Sequence, residues 1–171
     1  MKFKLIALAM LAGASLSGCA TVINGTNVDY ATDTDPTGAD VVFLNGLKCT
    51  SPCTVELRRG SDTRVDISKP GFEPVYVLLQ SRLAGSTFGN IIAGGIIGGV
   101  VDGGNGASNT LFPRPLMVRL APAGSGNAAM LLDKDGKELM TVEEHNEKVR
   151  ADVAKTIGNT LAGVDQTAPS N

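Results

Sequence analysis

Tryptophan is absent from this chain of 171 residues, only two Tyr and five Phe are present, and His145 is the single histidine. Without large aromatics a core must be built from aliphatic side chains. With one histidine, a Ser–His or Cys–His pair would have to use His145. That residue stands among Glu143, Glu144, Glu147 and Lys148, which predicts a solvated group in the first turn of a helix rather than a base. No paired carboxylates fall in a recognisable frame, and no glycine loop runs from a strand to a phosphate-binding lysine. The expectation is therefore no enzyme and no cofactor. Basic stripes are also lacking. Beyond residue 18 the chain carries 13 basic and 17 acidic residues, a formal charge of −4, which argues against nucleic acid as a partner. Asp133, Asp135 and Gly136 have the start of a calcium loop but none of its further ligands, so no metal is expected.

Long apolar runs are missing too. Leu5 to Leu16, behind Lys2 and Lys4, has the length of a secretory leader and is too short to span a bilayer. It ends in Leu16-Ser17-Gly18-Cys19, a lipobox whose cysteine thiol accepts lipid before the leader is cut away. Residues 1–18 are thus expected to be a lipoprotein signal peptide, Cys19 the lipidation site, and 19–27 a tether. Several acyl chains on one residue give stable anchoring at roughly 0.8 kcal/mol per buried CH2. The lipobox resembles that of bacterial lipoproteins, in which an Asp after the cysteine retains the chain at the inner membrane. Here Ala20 and Thr21 follow. The resemblance implies the outer membrane, facing the periplasm, with the periplasmic face of the inner membrane as the alternative.

With Cys19 assigned to lipid, Cys49 and Cys53 remain, separated by Thr50-Ser51-Pro52. An oxidising compartment favours a disulfide clip; a redox or metal pair and free thiols are the other readings, and the CxxxC spacing with no nearby His disfavours the first of these. The loop is short, so its stabilisation should be modest, roughly 2–3 kcal/mol or less.

From Val28 to Leu79 short strands alternate with turns. Asp40 to Leu44 runs into Asn45-Gly46, a hairpin signal. Thr54 to Leu57 and Thr63 to Ile67 alternate with period two, placing Val65 and Ile67 on one face and Arg64, Asp66 and Ser68 on the other. The fold expected is mainly β: a small antiparallel β-sandwich over residues 28–121, with a glycine-rich helical or hairpin insert at 83–106 and a C-terminal α-helix. Residues 121–127 read as a linker by composition, 133–137 as a turn, and 122–171 as a linker, turn and helical tail. Thr141-Val142-Glu143-Glu144 has the form of a capping box, and Val142, Val149, Val153, Ile157 and Leu161 recur at helical spacing as far as Gly163.

Pro36-Thr37-Gly38-Ala39-Asp40-Val41, Leu44-Asn45-Gly46, Ser51 to Leu57 and Val65 to Phe72 resemble, in order and spacing, the PEGA domain, a β-sandwich module of bacterial surface proteins. Thr37 stands where the family's name has Glu, in a turn. The resemblance implies extracytoplasmic binding or scaffolding and carries no catalytic residues. Lipobox, PEGA-like strands, Gly89-Asn90, Gly94 to Gly98, Asp102, Gly106-Ala107, Pro113 and Leu116 to Leu120 together are similar to a group of small, often prophage-encoded bacterial lipoproteins.

The insert is the least ordinary part of the sequence. Phe88 to Val101 is almost wholly Ile, Val, Ala and Gly, and Gly95, Gly99 and Gly103 lie four apart. On a helix they would form a glycine-zipper face, but interior glycines weaken a helix by about 1 kcal/mol each, so it would need a partner. The protein's own sheet, another copy of the chain and the lipid surface are the three candidates. Fourteen residues reach only about 21 Å as a helix, short of the roughly 30 Å hydrocarbon thickness. The expected function is a membrane-anchored envelope lipoprotein acting as a non-catalytic binding or scaffolding module for an envelope protein or polysaccharide. The alternative is a self-associating or membrane-perturbing lipoprotein linked to envelope stress.

Overall fold

The computed structural model describes residues 25–84 and 109–164. They form two sheets and a C-terminal helix, with one sheet curled into a half-barrel, so the protein is mainly β as expected. The first sheet has the order β10-β9-β8-β1-β4 and the second β3-β2-β5-β6-β7. The strands are β1 (Asn27–Asp35), β2 (Asp40–Phe43), β3 (Lys48–Thr50), β4 (Cys53–Arg58), β5 (Thr63–Ser68), β6 (Val75–Leu83), β7 (Asn109–Phe112), β8 (Leu116–Arg119), β9 (Met130–Leu132) and β10 (Glu138–Thr141). Helix α1 (Val142–Ile157) and the short α2 (Asn159–Ala162) follow.

Alternation dictates the sandwich. Along β1, Val28, Tyr30, Thr32 and Thr34 turn inward and their neighbours outward. Val41 and Phe43 of β2, Val65 and Ile67 of β5, and Val77 and Leu79 of β6 meet them from the second sheet in one continuous core. Tyr30 and Phe43 cross the gap edge to face, with ring centroids 6.4 Å apart. The Tyr30 hydroxyl donates to the Pro113 carbonyl, and burial raises its pKa well above the usual value. The Asn45-Gly46 turn joins β2 to β3, with Gly46 at φ +88° and the Asn45 side chain accepting from the Leu47 amide.

Two features depart from the sequence expectation. First, β8 pairs parallel with β1, Leu116 opposite Thr32 and Arg119 opposite Asp35; every other pairing among the described residues is antiparallel. Second, residues 122–164 contain strands that the sequence did not mark. β9 and β10 extend the first sheet, and the loop read as a linker is pinned: Glu73 donates its amide to the Ala121 carbonyl, and Ala123 to that of Gly71. Composition marked a turn-rich segment but carried no sign of the backbone partners waiting for it.

The helix covers the outer face of the second sheet. Thr141 caps it by accepting from the Glu144 amide, while Glu144 pairs with Lys148 instead of closing a reciprocal box. Val149, Val153 and Ala162 pack on Leu78, so β6 is buried on both faces. The helix ends at Gly158, φ +92°, and this break takes Leu161 off the stripe, leaving it 42% exposed. The tight approach there is at Gly163, where a Cβ would lie 2.3 Å from the Tyr76 hydroxyl.

His145 is a correction. It is fully buried, not solvated. β7 pairs with β6 only from Gln80 to Leu83, so among the described residues Tyr76 and Leu78 have no strand neighbour on that side. Asn146 supplies one: its Oδ1 accepts from the Leu78 amide at 2.9 Å and its Nδ2 donates to the Tyr76 carbonyl at 2.8 Å. His145 Nε2 lies 2.9 Å from the Leu78 carbonyl, and since a carbonyl only accepts, that nitrogen carries the hydrogen.

Two predictions follow from this seam. Asn146→Ala leaves a buried amide and carbonyl without partners and should lower stability by about 2–3 kcal/mol, read as a shift of the urea midpoint at constant slope. Burial lowers the His145 pKa, helped by the positive charges of Arg82 and Lys148 against the opposing Leu78 bond. The unfolded chain takes up a proton near pH 6.5, whereas the folded chain resists it. The contribution of neutral His145 is therefore complete above that pH and is lost as pH falls through the lower folded pKa. His145→Gln, which keeps a donor for Leu78, should flatten the decline of stability between about pH 7 and 5.

Candidate functional site

The two ends of the sandwich are built differently. At one, the disulfide and its surroundings form a rigid corner. Cys49 and Cys53 are bonded, with Cα atoms 6.2 Å apart, within the ordinary range for a bridge. The bond joins the end of β3 to the start of β4, and so couples the second sheet to the first.

Ser51, between the two cysteines, is buried and organises this corner. Its amide donates to the Ala39 carbonyl at 2.9 Å and its carbonyl accepts from Gly38 at 2.7 Å. Its hydroxyl accepts from the Ala39 amide at 3.0 Å and hydrogen-bonds to the Thr34 hydroxyl, which in turn donates to the Pro36 carbonyl. The β1–β2 connection is thereby fastened to the disulfide loop by backbone and side chain at once. Beside it, on the outer face of the first sheet, an open depression of about 490 Å³ is lined by Ala31, Asp33, Pro52, Cys53, Pro115 and Met117. Thr32 and Thr54 also line it, and Asp33 is its one carboxylate.

The other end gathers the chain's points of attachment. The β1–β4 register sets Asn27 opposite Arg58, and Arg59 donates its amide to Thr26, so the N-terminal lead enters beside the β4–β5 turn. β5 starts there, and its register places the end of β2 and the extension of β6 at the same pole. Ser81 ties them together, donating its amide to Asp62 at 2.7 Å and its hydroxyl to the Arg59 carbonyl at 2.6 Å. Asp62 also accepts from Thr156 near the end of α1 at 2.6 Å; burial raises its pKa, opposed by these two hydrogen bonds. Leu83 pairs with Asn109, so both ends of the glycine-rich insert are held in one β-hairpin.

On the outer face a third cluster clamps the helix. Arg64 stacks on the Tyr76 ring at 4.0 Å and donates to the Leu161 carbonyl at 3.1 Å, while Arg150 reaches the Tyr76 hydroxyl and Glu143. These groups hold one another and are structural.

Of the residues singled out in the sequence, Cys49 and Cys53 are brought together, whereas Cys19, Gly95, Gly99 and Gly103 lie outside the described residues. Among the described residues no group of three or more His, Cys, Asp or Glu could hold a metal ion, and no helix is long and apolar enough to cross a membrane. Sequence reasoning missed Ser51, Asn146 and His145. A signal for the last two existed: they fall three and four residues after Val142, on the same helical stripe as Val149 and Val153. Comparison of the chain with models of protein families, with curated proteins and with solved structures gave no match.

The corner yields a third prediction. Cys49 and Cys53 should resist alkylation until a reductant is added, and replacing both by Ser should cost about 2 kcal/mol without unfolding the chain, since the loop is short. Ser51→Ala should be comparably destabilising, about 1–3 kcal/mol, because the buried Ala39 amide and Thr34 hydroxyl lose a partner. Urea unfolding of the three proteins measures both.

Proposed function

We propose that this protein is an envelope lipoprotein: a cleaved leader, acylation at Cys19, and a non-catalytic β-sandwich held at a membrane as a binding or scaffolding module. The observation that carries this reading is the lipobox Leu16-Ser17-Gly18-Cys19, placed only a few residues ahead of a disulfide-clipped sandwich. The periplasmic face of the outer membrane is the site favoured by Ala20 and Thr21. The open depression beside Cys53, shallow and mixed in polarity, fits a surface for a protein or polysaccharide better than an enclosed reaction centre. The PEGA resemblance and the sandwich agree with such a role.

Self-association through the insert is the second reading, favoured by the β6–β7 pairing, which brackets the glycine-rich segment in sequence. Its partners would be further copies of the chain, with Gly95, Gly99 and Gly103 as the contact face.

Fatty-acid labelling should appear in the wild-type chain and vanish in Cys19→Ser; label persisting in the variant would defeat the lipoprotein reading. Deleting residues 84–106 and closing β6 to β7 with a short turn should leave a folded sandwich. Sedimentation in mild detergent of the intact chain, this deletion and Gly99→Leu separates the two readings. Identical monomers favour the binding module, and a large intact species reduced in both variants favours self-association.

A further inference from the structure

Helix α1 rests on an apolar contact separate from the core of the sandwich. The core between the sheets is one cluster, which takes in Val142 at the start of the helix and nothing after it. From there on the contact belongs to a second, smaller cluster in which Val149, Val153 and Ala162 meet Leu78, with Tyr76 and Ile157 at its margin. Lifting α1 and α2 off β6 therefore leaves the sandwich core in place, the condition for a local opening rather than a global one.

The chain's single histidine sits in this contact. His145 is fully buried, and its Nε2 donates to the Leu78 carbonyl while the adjacent Asn146 holds the Leu78 amide and the Tyr76 carbonyl. The charges that face it are Arg82 from β6 and Lys148 from its own helix. Both are positive. Asp62 and Asp152 act on Arg82, and Asp152 also pairs with Lys155; Glu144 pairs with Lys148 and Glu143 with Arg150, and Glu138 of β10 is taken by Arg119. A proton added at Nδ1 thus places a further positive charge beside two others in a seam closed to water.

We infer that helix α1 is an acid-released cover: protonation of His145 lifts α1 and α2 from β6 while the sandwich beneath them stays folded. In the closed form, burial and the charges of Arg82 and Lys148 keep the imidazole neutral, whereas in the released form it meets water and titrates near pH 6.5. The released form binds the proton more tightly. Its population relative to the closed form rises about tenfold for each pH unit below that value, until the lower pKa of the closed form is reached. Asp62, bonded to Thr156 near the end of α1, acts with the opposite sign: burial raises its pKa, so through it acid favours the closed form. Release bares the Leu78 side chain together with the amide and carbonyls that Asn146 and His145 had satisfied, an unpaired length of strand edge.

Amide hydrogen exchange of the full chain, followed by NMR between about pH 7.5 and 4.5 and corrected for the intrinsic exchange rate, separates release from unfolding. The Leu78 amide, whose acceptor is Asn146, reports on the cover, and the amides of the β1–β4 ladder report on the sandwich. Leu78 protection should fall about tenfold per pH unit below roughly pH 6.5 while the ladder keeps its own. In His145→Gln, which keeps a donor for the Leu78 carbonyl and does not titrate, Leu78 protection should be independent of pH. Lys148→Ala, at an exposed position, removes one facing charge without touching the seam and should make the wild-type fall shallower. Leu78 protection that does not change with pH in the wild-type chain overturns the proposal, and so does its loss in step with the ladder, which means that the whole chain unfolds. A wild-type fall left unaltered in His145→Gln or, should that chain not fold, in Lys148→Ala assigns the effect to another group and overturns it as well.

Discussion

The structure depends on one unusual piece of edge chemistry, the seam between helix α1 and strand β6. A strand that loses its neighbour half-way along leaves amides and carbonyls that must be satisfied or exposed, and an open edge invites pairing with other chains. Here the β6–β7 ladder ends at the Gln80–Phe112 pair, and the Asn146 amide takes over with the same donor and acceptor pattern that a peptide group would offer. His145 adds a further donor. The helix is therefore part of the sheet's hydrogen-bond system, which is why Leu78 can be buried between sheet and helix while Val77 and Leu79 face the core.

That seam organises the rest. With β6 fixed on both faces, the hairpin it forms with β7 becomes a rigid mount for whatever lies between Leu83 and Asn109. The Ser81 and Asp62 contacts lock this mount to the β4–β5 turn and to the end of α1. Ser51 and the disulfide do the same work at the far pole with backbone bonds. Between the poles the core is aliphatic apart from the Tyr30–Phe43 contact, as the shortage of aromatics required.

How legible this was depends on the range of the interactions. Period-two alternation exposed β4 and β5 correctly down to the faces of Val65 and Ile67, and Asn45-Gly46 marked its hairpin, because both are local signals. The parallel partnership of β1 and β8 joins segments some 84 residues apart, and nothing in either segment announces it. The 121–127 loop misled for the same reason: glycine and proline report flexibility of the isolated chain, not the Gly71 carbonyl and the Glu73 amide that bind it. His145 looked like a surface group because its sequence neighbours are charged, yet on a helix those neighbours point elsewhere. For the candidate site, the cysteine pair was readable from spacing, while Ser51 was hidden between the cysteines that drew attention.

The position of β1 has a mechanical consequence. It lies inside the first sheet, hydrogen-bonded to β4 along one side and β8 along the other. Tension applied at its N-terminal end along the strand direction loads both ladders in shear, and their bonds must yield together rather than one after another. An edge strand attached the same way has a single ladder to resist with. The chain thus receives any pull from its N-terminal side through the strand best held against extraction, and passes it to the two flanking strands without bending the sandwich.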